Sequence, residues 1–239
     1  MVNGEKTSSP EERSLIAVTM FGNTTKAVEN ARRILEEQGY EVLVFHATGT
    51  GGRTMETLIE NGYFIAVLDM TTTEWADEVC GGVLSAGASR LEAAVNKGLP
   101  QVVVPACLDM CNFWAPETIP AKYKDRLFYR WNPNVTLMRT TVEENFRIGE
   151  IFAEKLNKST GPVAVMIPLG GFSELDYPGQ LFWCPEANRA FLDALRKNLR
   201  PDIPIEVSDR AVNDPEFSRR AAEQLLELIH HTQHLFERR

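Results

Sequence analysis

The sequence predicts an α/β domain with a Rossmann-like, three-layer, doubly wound architecture and a mainly parallel sheet. Three observations predict it. Short apolar runs recur along the chain, each is followed by a loop rich in glycine or threonine, and segments with helical spacing lie between them. Apolar runs of this length suit strands covered on both faces. Alternation of strand and helix gives a parallel sheet with right-handed crossovers.

The elements follow in order. Residues 15–20 read as the first strand. Ala27, Val28, Ala31, Ile34 and Leu35 then mark a helix that Gly39 stops. Residues 41–46 form the second strand, and Gly49, Gly51 and Gly52 make the next loop glycine-rich. Met55, Leu58 and Ile59 mark a short helix closed by Gly62, and residues 64–69 form the third strand. Residues 89–97 suit a helix. Residues 101–105 suit a fourth strand, with Pro105 ending it because proline cannot join a central ladder. Residues 108–140, with Trp114, Pro116, Pro120, Trp131 and Pro133, are expected to be irregular and either functional or an interface. A helix follows over 141–156, opened by a capping box of Thr141 and Glu144. Residues 162–168 are a buried strand and 185–195 a helix with Pro185 in its first turn. Residues 203–207 are a short strand placed near an edge by Pro204, and the last helix begins at 213–215. The organisation expected is a linker over 1–13 and one α/β domain over 14–239.

Composition narrows the function. The 239 residues are 44% apolar and 24% charged, as in soluble globular proteins, and suffice for a core without staples. The net charge of −8 excludes a strongly basic nucleic-acid footprint, so direct nucleic-acid binding is not expected. No apolar run nears the roughly 18 residues of a membrane span, and the polar start lacks the apolar core of a secretory signal. Cys80, Cys107, Cys111 and Cys184 show no framework spacing and read as reduced thiols of a cytoplasmic protein. Cys107 and Cys111 lack the companions a zinc ion needs, so no metal is expected.

In open parallel sheets, ligands bind beyond the carboxyl ends of the strands. The loops there carry Gly22, Asn23, Thr24 and Thr25; Thr48, Gly49, Gly51, Gly52 and Arg53; Thr71 and Thr72; and Gly170, Gly171 and Ser173. Glycines admit a close ligand, helix starts attract anions, and Arg53 offers a fork for phosphate or carboxylate. Arg139, ahead of the long helix, is a further candidate ligand contact. Ordinary tight turns with capping threonines explain the same residues equally well. Neither a Walker A loop nor G-x-G-x-x-G nor G-x-S-x-G is present. His46 at a strand end and Glu74 are the candidate acid and base. Asp77 lies three residues after Glu74, and Cys80 has no activating base nearby in sequence. His230 and His234 are four apart without H-E-x-x-H, which suits a solvated helix end.

Several motifs together carry a resemblance. They are the stretches 18–25, 45–49, 51–53, 68–74 and 137–141, reading VTMFGNTT, FHATG, GGR, LDMTTTE and LMRTT. The chain resembles the bacterial and fungal family of uncharacterised proteins related to the plant tobamovirus-resistance protein, an inhibitor of viral RNA replication. The resemblance runs from about Leu15 to the last helix. It implies a two-half α/β protein of which this chain is the second half, with the first 13 residues matching the linker. It also implies ATP or another phosphorylated ligand, a preceding N-terminal half as partner, and, for the plant member, a viral helicase domain as partner. It implies no particular reaction.

Three functional expectations follow. The first is a domain that binds an anionic small molecule bearing phosphate or carboxylate, a nucleotide among them. The second is an enzyme that uses His46 and Glu74. The third is an interaction module that uses residues 112–133 to meet a second copy, giving a homo-oligomer, or the N-terminal half.

Overall fold

The computed structural model describes residues 14–237, with side chains described as far as residue 233. The linker expected over 1–13 lies outside the described residues. The elements are β1 (Leu15–Met20), α1 (Thr25–Glu37), β2 (Glu41–His46), α2 (Thr50–Glu60), β3 (Ala66–Thr71), α3 (Glu74–Cys80), α4 (Glu92–Lys97) and β4 (Gln101–Ala106). There follow β5 (Met110–Phe113), β6 (Phe128–Asn132), β7 (Val135–Arg139), α5 (Val142–Leu156), β8 (Val163–Pro168), α6 (Pro185–Asn198), β9 (Ile205–Ser208) and α7 (Pro215–Glu237).

Among the described residues the main sheet has six strands in the order β2-β1-β3-β4-β8-β9, and every pairing is parallel. Helices α1 and α7 cover one face, where Val28, Leu35, Phe217 and Leu225 pack on Ile16, Leu68, Val102 and Met166. The other face holds Phe152, Phe191 and Leu195 from α5 and α6 against Val103, Val165 and Ile167, with Met55 and Ile59 of α2 beside Phe45 and Val67. This is the three-layer, doubly wound arrangement. It follows from strands that are apolar on both sides and therefore need cover on both. No helix among the described residues is long and apolar enough to cross a membrane.

Several boundaries differ from the sequence reading, each for a physical reason. The third strand lies two residues later, because Phe64 packs edge-on against Phe45, with centroids 5.8 Å apart, before the strand begins. Pro105 sits inside β4 rather than ending it. The β3–β4 register slips there, from Asp69↔Val103 to Thr71↔Ala106, and a bulge tolerates a residue without an N–H. The glycine-rich segment is not a loop: α2 begins at Thr50, so Gly51, Gly52 and Arg53 form its first turn.

Residues 108–140 are ordered as a second sheet, β5-β7-β6, with antiparallel pairings such as Phe113↔Thr136 and Tyr129↔Leu137. Short 3-10 turns at Pro116–Thr118 and Ala121–Tyr123 carry the chain between strands. The expected capping box is present at α5: Glu144 N donates to Thr141 Oγ1 at 3.1 Å, and Thr141 N donates to Glu144 Oε2 at 2.7 Å. Arg126 clamps the same Glu144 from β6's approach at 2.7 Å. Replacing Thr141 by Ala removes one cap bond and is expected to lower stability by about 1 kcal/mol in urea unfolding, with Thr141→Ser close to neutral.

Candidate functional site

The strand order reverses between β1 and β3, so the switch point lies between the carboxyl ends of those two strands, and the loops after β1 and β2 stand beside it. A cavity of about 410 Å³ opens there. The loops after β1 and β2 form one wall, with Phe21, Gly22, Asn23, His46 and Thr48. The small sheet and the turn after α3 form the other, with Val83, Leu84, Asn112, Phe113, Trp114 and Trp131 among its residues. Phe21 and His46 stack with ring centroids 5.6 Å apart. Trp114 and Trp131 stand half exposed at the rim.

Beneath the neighbouring loops lies a buried charge network. Arg90 is 1% exposed. Its guanidinium donates to both oxygens of Asp69 at 2.5 and 2.6 Å, to Glu74 Oε2 at 2.7 Å and to Glu56 Oε1 at 3.2 Å. Burial alone would weaken its hold on the proton, but the three carboxylates keep its pKa well above the ordinary value. The second oxygen of Glu74 accepts the amides of Gly49 at 2.7 Å and Gly52 at 3.1 Å. The anion at the start of α2 is therefore the protein's own carboxylate.

The glycines follow from this packing. A Cβ on Gly52 would collide with the Glu74 carboxylate, and one on Gly51 with the His46 carbonyl. Arg53 is exposed and gives its fork to the Ser85 carbonyl at 2.9 Å and to Thr50 Oγ1 at 3.3 Å, away from the cavity lining. The expected anion site on Gly49, Gly51, Gly52 and Arg53 is thus filled from within. The pairing of Glu74 with His46 as acid and base is not assembled either. Glu74 is buried with both oxygens occupied, whereas His46 is exposed and lines the cavity.

Two further aspartates shape the region. Asp77 accepts from the amides of Leu84 at 3.1 Å and Asn112 at 3.0 Å, and from Asn112 Nδ2 at 2.7 Å. Burial nonetheless pushes its pKa up to about 7. Asp109 accepts from Ser173 Oγ at 2.7 Å. Burial, reinforced by the charge of Asp176 and opposed by Arg139, pushes its pKa up to about 7.

Arg139 is a structural hub rather than an open contact. It donates to the Phe182 carbonyl at 2.7 Å, to Thr140 Oγ1 at 2.9 Å and to Asp176 Oδ1 at 3.4 Å. Thr71 and Thr72 are buried, bonded to Thr24 at 2.8 Å and to the Val104 carbonyl at 2.9 Å. Thr25 caps back to Gly22. Gly170 and Gly171 lie against the backbone of residues 209–211 and of Asp176, so a Cβ would not fit at either. His230 is exposed, and the side chain of His234 lies outside the described residues. Among the described residues no three His, Cys, Asp or Glu side chains are placed to hold a metal ion.

Comparison with known proteins fits this geometry to a family. Residues 13–229 match the model described as "Uncharacterised protein family (UPF0261) C-terminal domain". The chain belongs to this family. A UPF0261 protein of Clostridium tetani is 50% identical over 230 residues, covering 96% of this chain and 57% of that protein. The Mesorhizobium japonicum UPF0261 protein mlr3387 is 44% identical, covering 89% and 54%. The tomato (Solanum lycopersicum) protein named ToMV resistance protein Tm-1(GCR237) is 41% identical, covering 98% of this chain and 32% of its own length. The chain spans about half the length of the bacterial relatives it matches.

Of the residues singled out from sequence in this UPF0261 C-terminal domain, Gly22, Asn23, His46 and Thr48 line the cavity. Sequence reasoning misses Arg90 and gives Asn112, Trp114 and Trp131 no part in a ligand site, placing them only in a stretch expected to be functional or an interface. Asp69 carried a usable signal: a carboxylate closing an otherwise apolar buried strand requires a cation.

Arg90→Met leaves three buried carboxylates without their shared cation, with only neutral donors at each, and is expected to cost about 3–5 kcal/mol in urea unfolding. Arg90→Lys is expected to recover little, because an ammonium cannot reproduce the planar fork. Asp77 and Asp109 bind protons up to about pH 7 when folded, against an ordinary aspartate value of 3.8. Between these values the folded state holds more protons, so stability falls as pH rises through this window. The urea midpoint is expected to drop between pH 5 and pH 8, and Asp109→Asn to flatten that slope.

Proposed function

We propose that this domain binds a small molecule carrying a flat ring in the cleft between the loops after β1 and β2 and the β5–β7–β6 sheet. One observation carries the reading: the cavity at the carboxyl ends of β1 and β2 has aromatic walls, with Phe21 stacked on His46 on one side and Trp114 and Trp131 on the other. Pockets of this size, mainly apolar with a few placed polar groups, suit small ligands. Aromatic faces suit ring stacking.

Nucleotides are the first class to test, ATP included, because they join a ring to an anionic tail and the family resemblance implies ATP. In this reading the ring enters the cleft. The anionic end stays at its open side, where Lys26 lines an adjoining cavity that shares Trp131. Its phosphates do not rest on the turn 49–53, where Glu74 already sits. Four free thiols suit a reducing compartment, and we place the protein in the cytoplasm.

A second reading is favoured by the exposure of Trp114, Leu127, Trp131 and Leu181. Such apolar side chains also suit docking of the other half of the longer relatives, or of a second copy.

Calorimetric titration with ATP, adenosine and unrelated phosphates separates these readings. Trp131→Ala is expected to weaken ring-bearing ligands at least about tenfold through lost stacking, while Arg53→Ala leaves affinity unchanged. Loss of binding in Arg53→Ala alone would contradict the cleft. If the second reading holds, Trp131→Ala changes the mass of the particle in solution and not an affinity.

A further inference from the structure

We propose that this cleft selects a flat ring bearing a carboxylate, attached directly or through one carbon, with His46 and Asn132 as its hydrogen-bond donors. The inference rests on the cleft reading above and names the ligand class that the cleft prefers.

The lining holds no Asp, Glu, Lys or Arg side chain, although the chain carries 33 acidic residues against 25 lysines and arginines. Its one residue that can carry a charge is His46. That side chain is exposed, so a ligand meets it without any opening of the fold. The His46 carbonyl accepts from Thr48 Oγ1 at 3.3 Å, and among the described residues neither ring nitrogen has a partner. An imidazole donates from at least one nitrogen in either charge state. When charged it strengthens its bond to an anion, and no carboxylate in the lining competes for it.

The opposite wall adds a second donor. A carboxamide has a donor end and an acceptor end, and its neighbours decide which is free. Asn132 Oδ1 accepts from Asn134 N at 2.8 Å, and among the described residues Nδ2 has no partner. Asn132 is exposed and follows Trp131 in β6. Each wall thus offers an accessible N–H, while the Thr48 hydroxyl can turn to donate or to accept. A carboxylate suits both donors. An ammonium would meet the same donors and no anion.

The stack fixes where the acid sits on the ligand. Phe21 and His46 lie 5.6 Å apart, centroid to centroid, so a ring resting on this wall has the imidazole beside it. A carboxylate on the ring, or one carbon away, stays within the cleft with the imidazole. The phosphates of a nucleotide are carried past it on a sugar, toward Lys26 of the adjoining cavity.

The test uses 2-naphthoate and 2-naphthamide, which share ring and shape and differ in the one charged group. Calorimetric titrations of the wild-type domain are expected to show the acid binding at least about tenfold tighter. His46→Ala and Asn132→Asp are each expected to narrow that ratio, and His46→Lys to keep it. Both positions are exposed, and circular dichroism checks that the variants fold. Equal affinity of the two compounds for the wild type, or a preference that survives both His46→Ala and Asn132→Asp, overturns the inference while leaving the cleft in place. Binding of neither compound, or binding untouched by Trp131→Ala, overturns the cleft reading and this inference with it.

Discussion

One guanidinium organises the carboxyl-end surface of this domain. Arg90 joins Asp69 at the end of β3, Glu74 at the start of α3 and Glu56 on α2. Glu56 in turn accepts the amides of Leu91 and Ala93, which sets the start of α4 and holds Leu91 in the left-handed region at φ 74°. Asp69 accepts from Thr19 Oγ1, whose oxygen takes the Thr71 amide, and so ties β1 to β3. A buried network of this kind is weak evidence of net stabilisation, because desolvation offsets much of the attraction. Its effect is geometric: α2, the end of β3, the start of α3 and the turn before α4 have one arrangement in which no buried charge is left alone.

That arrangement decides where a ligand can go. A glycine-rich helix start normally presents its amides to an incoming anion. Here Glu74 takes the amides of Gly49 and Gly52, and Arg53 turns to the Ser85 carbonyl. What stays open is the neighbouring space roofed by the small antiparallel sheet. β5 brings Asn112, Phe113 and Trp114 over the first two loops, and β6 brings Trp131. Asp77 pins β5 to the turn after α3 through the amides of Leu84 and Asn112, so the roof and the charge network meet on one helix.

The sequence makes the main sheet legible because its signals are local. A buried parallel strand is apolar throughout, a cap lies within four residues of its partner, and Pro204 marks an edge. Residues 108–140 do not read as strands because β5 pairs with β7 at long range, and because prolines and aromatics give even the β6–β7 hairpin, joined by Pro133 and Asn134, the look of a loop. The site residues divide in the same way. Gly22, Asn23, His46 and Thr48 were found because the carboxyl-end rule depends only on strand positions. Glu74 was misplaced because its partners at 49, 52 and 90 are remote in sequence, and a carboxylate beside glycines reads the same whether it serves a ligand or the fold. Asn112 gives no local signal, because its place in the cavity wall depends on the long-range pairing of β5 with β7 and on its bonds to Asp77.

Amide chemical-shift mapping with 9-methyladenine tests most directly that ligands enter the aromatic cleft and not the glycine-rich turn. The account predicts perturbations concentrated at Phe21, His46, Asn112 and the Trp131 indole, with 49–53 unmoved. Perturbations centred on Gly49, Gly52 and Arg53 would contradict it, and would mean that a ligand displaces Glu74 from the start of α2.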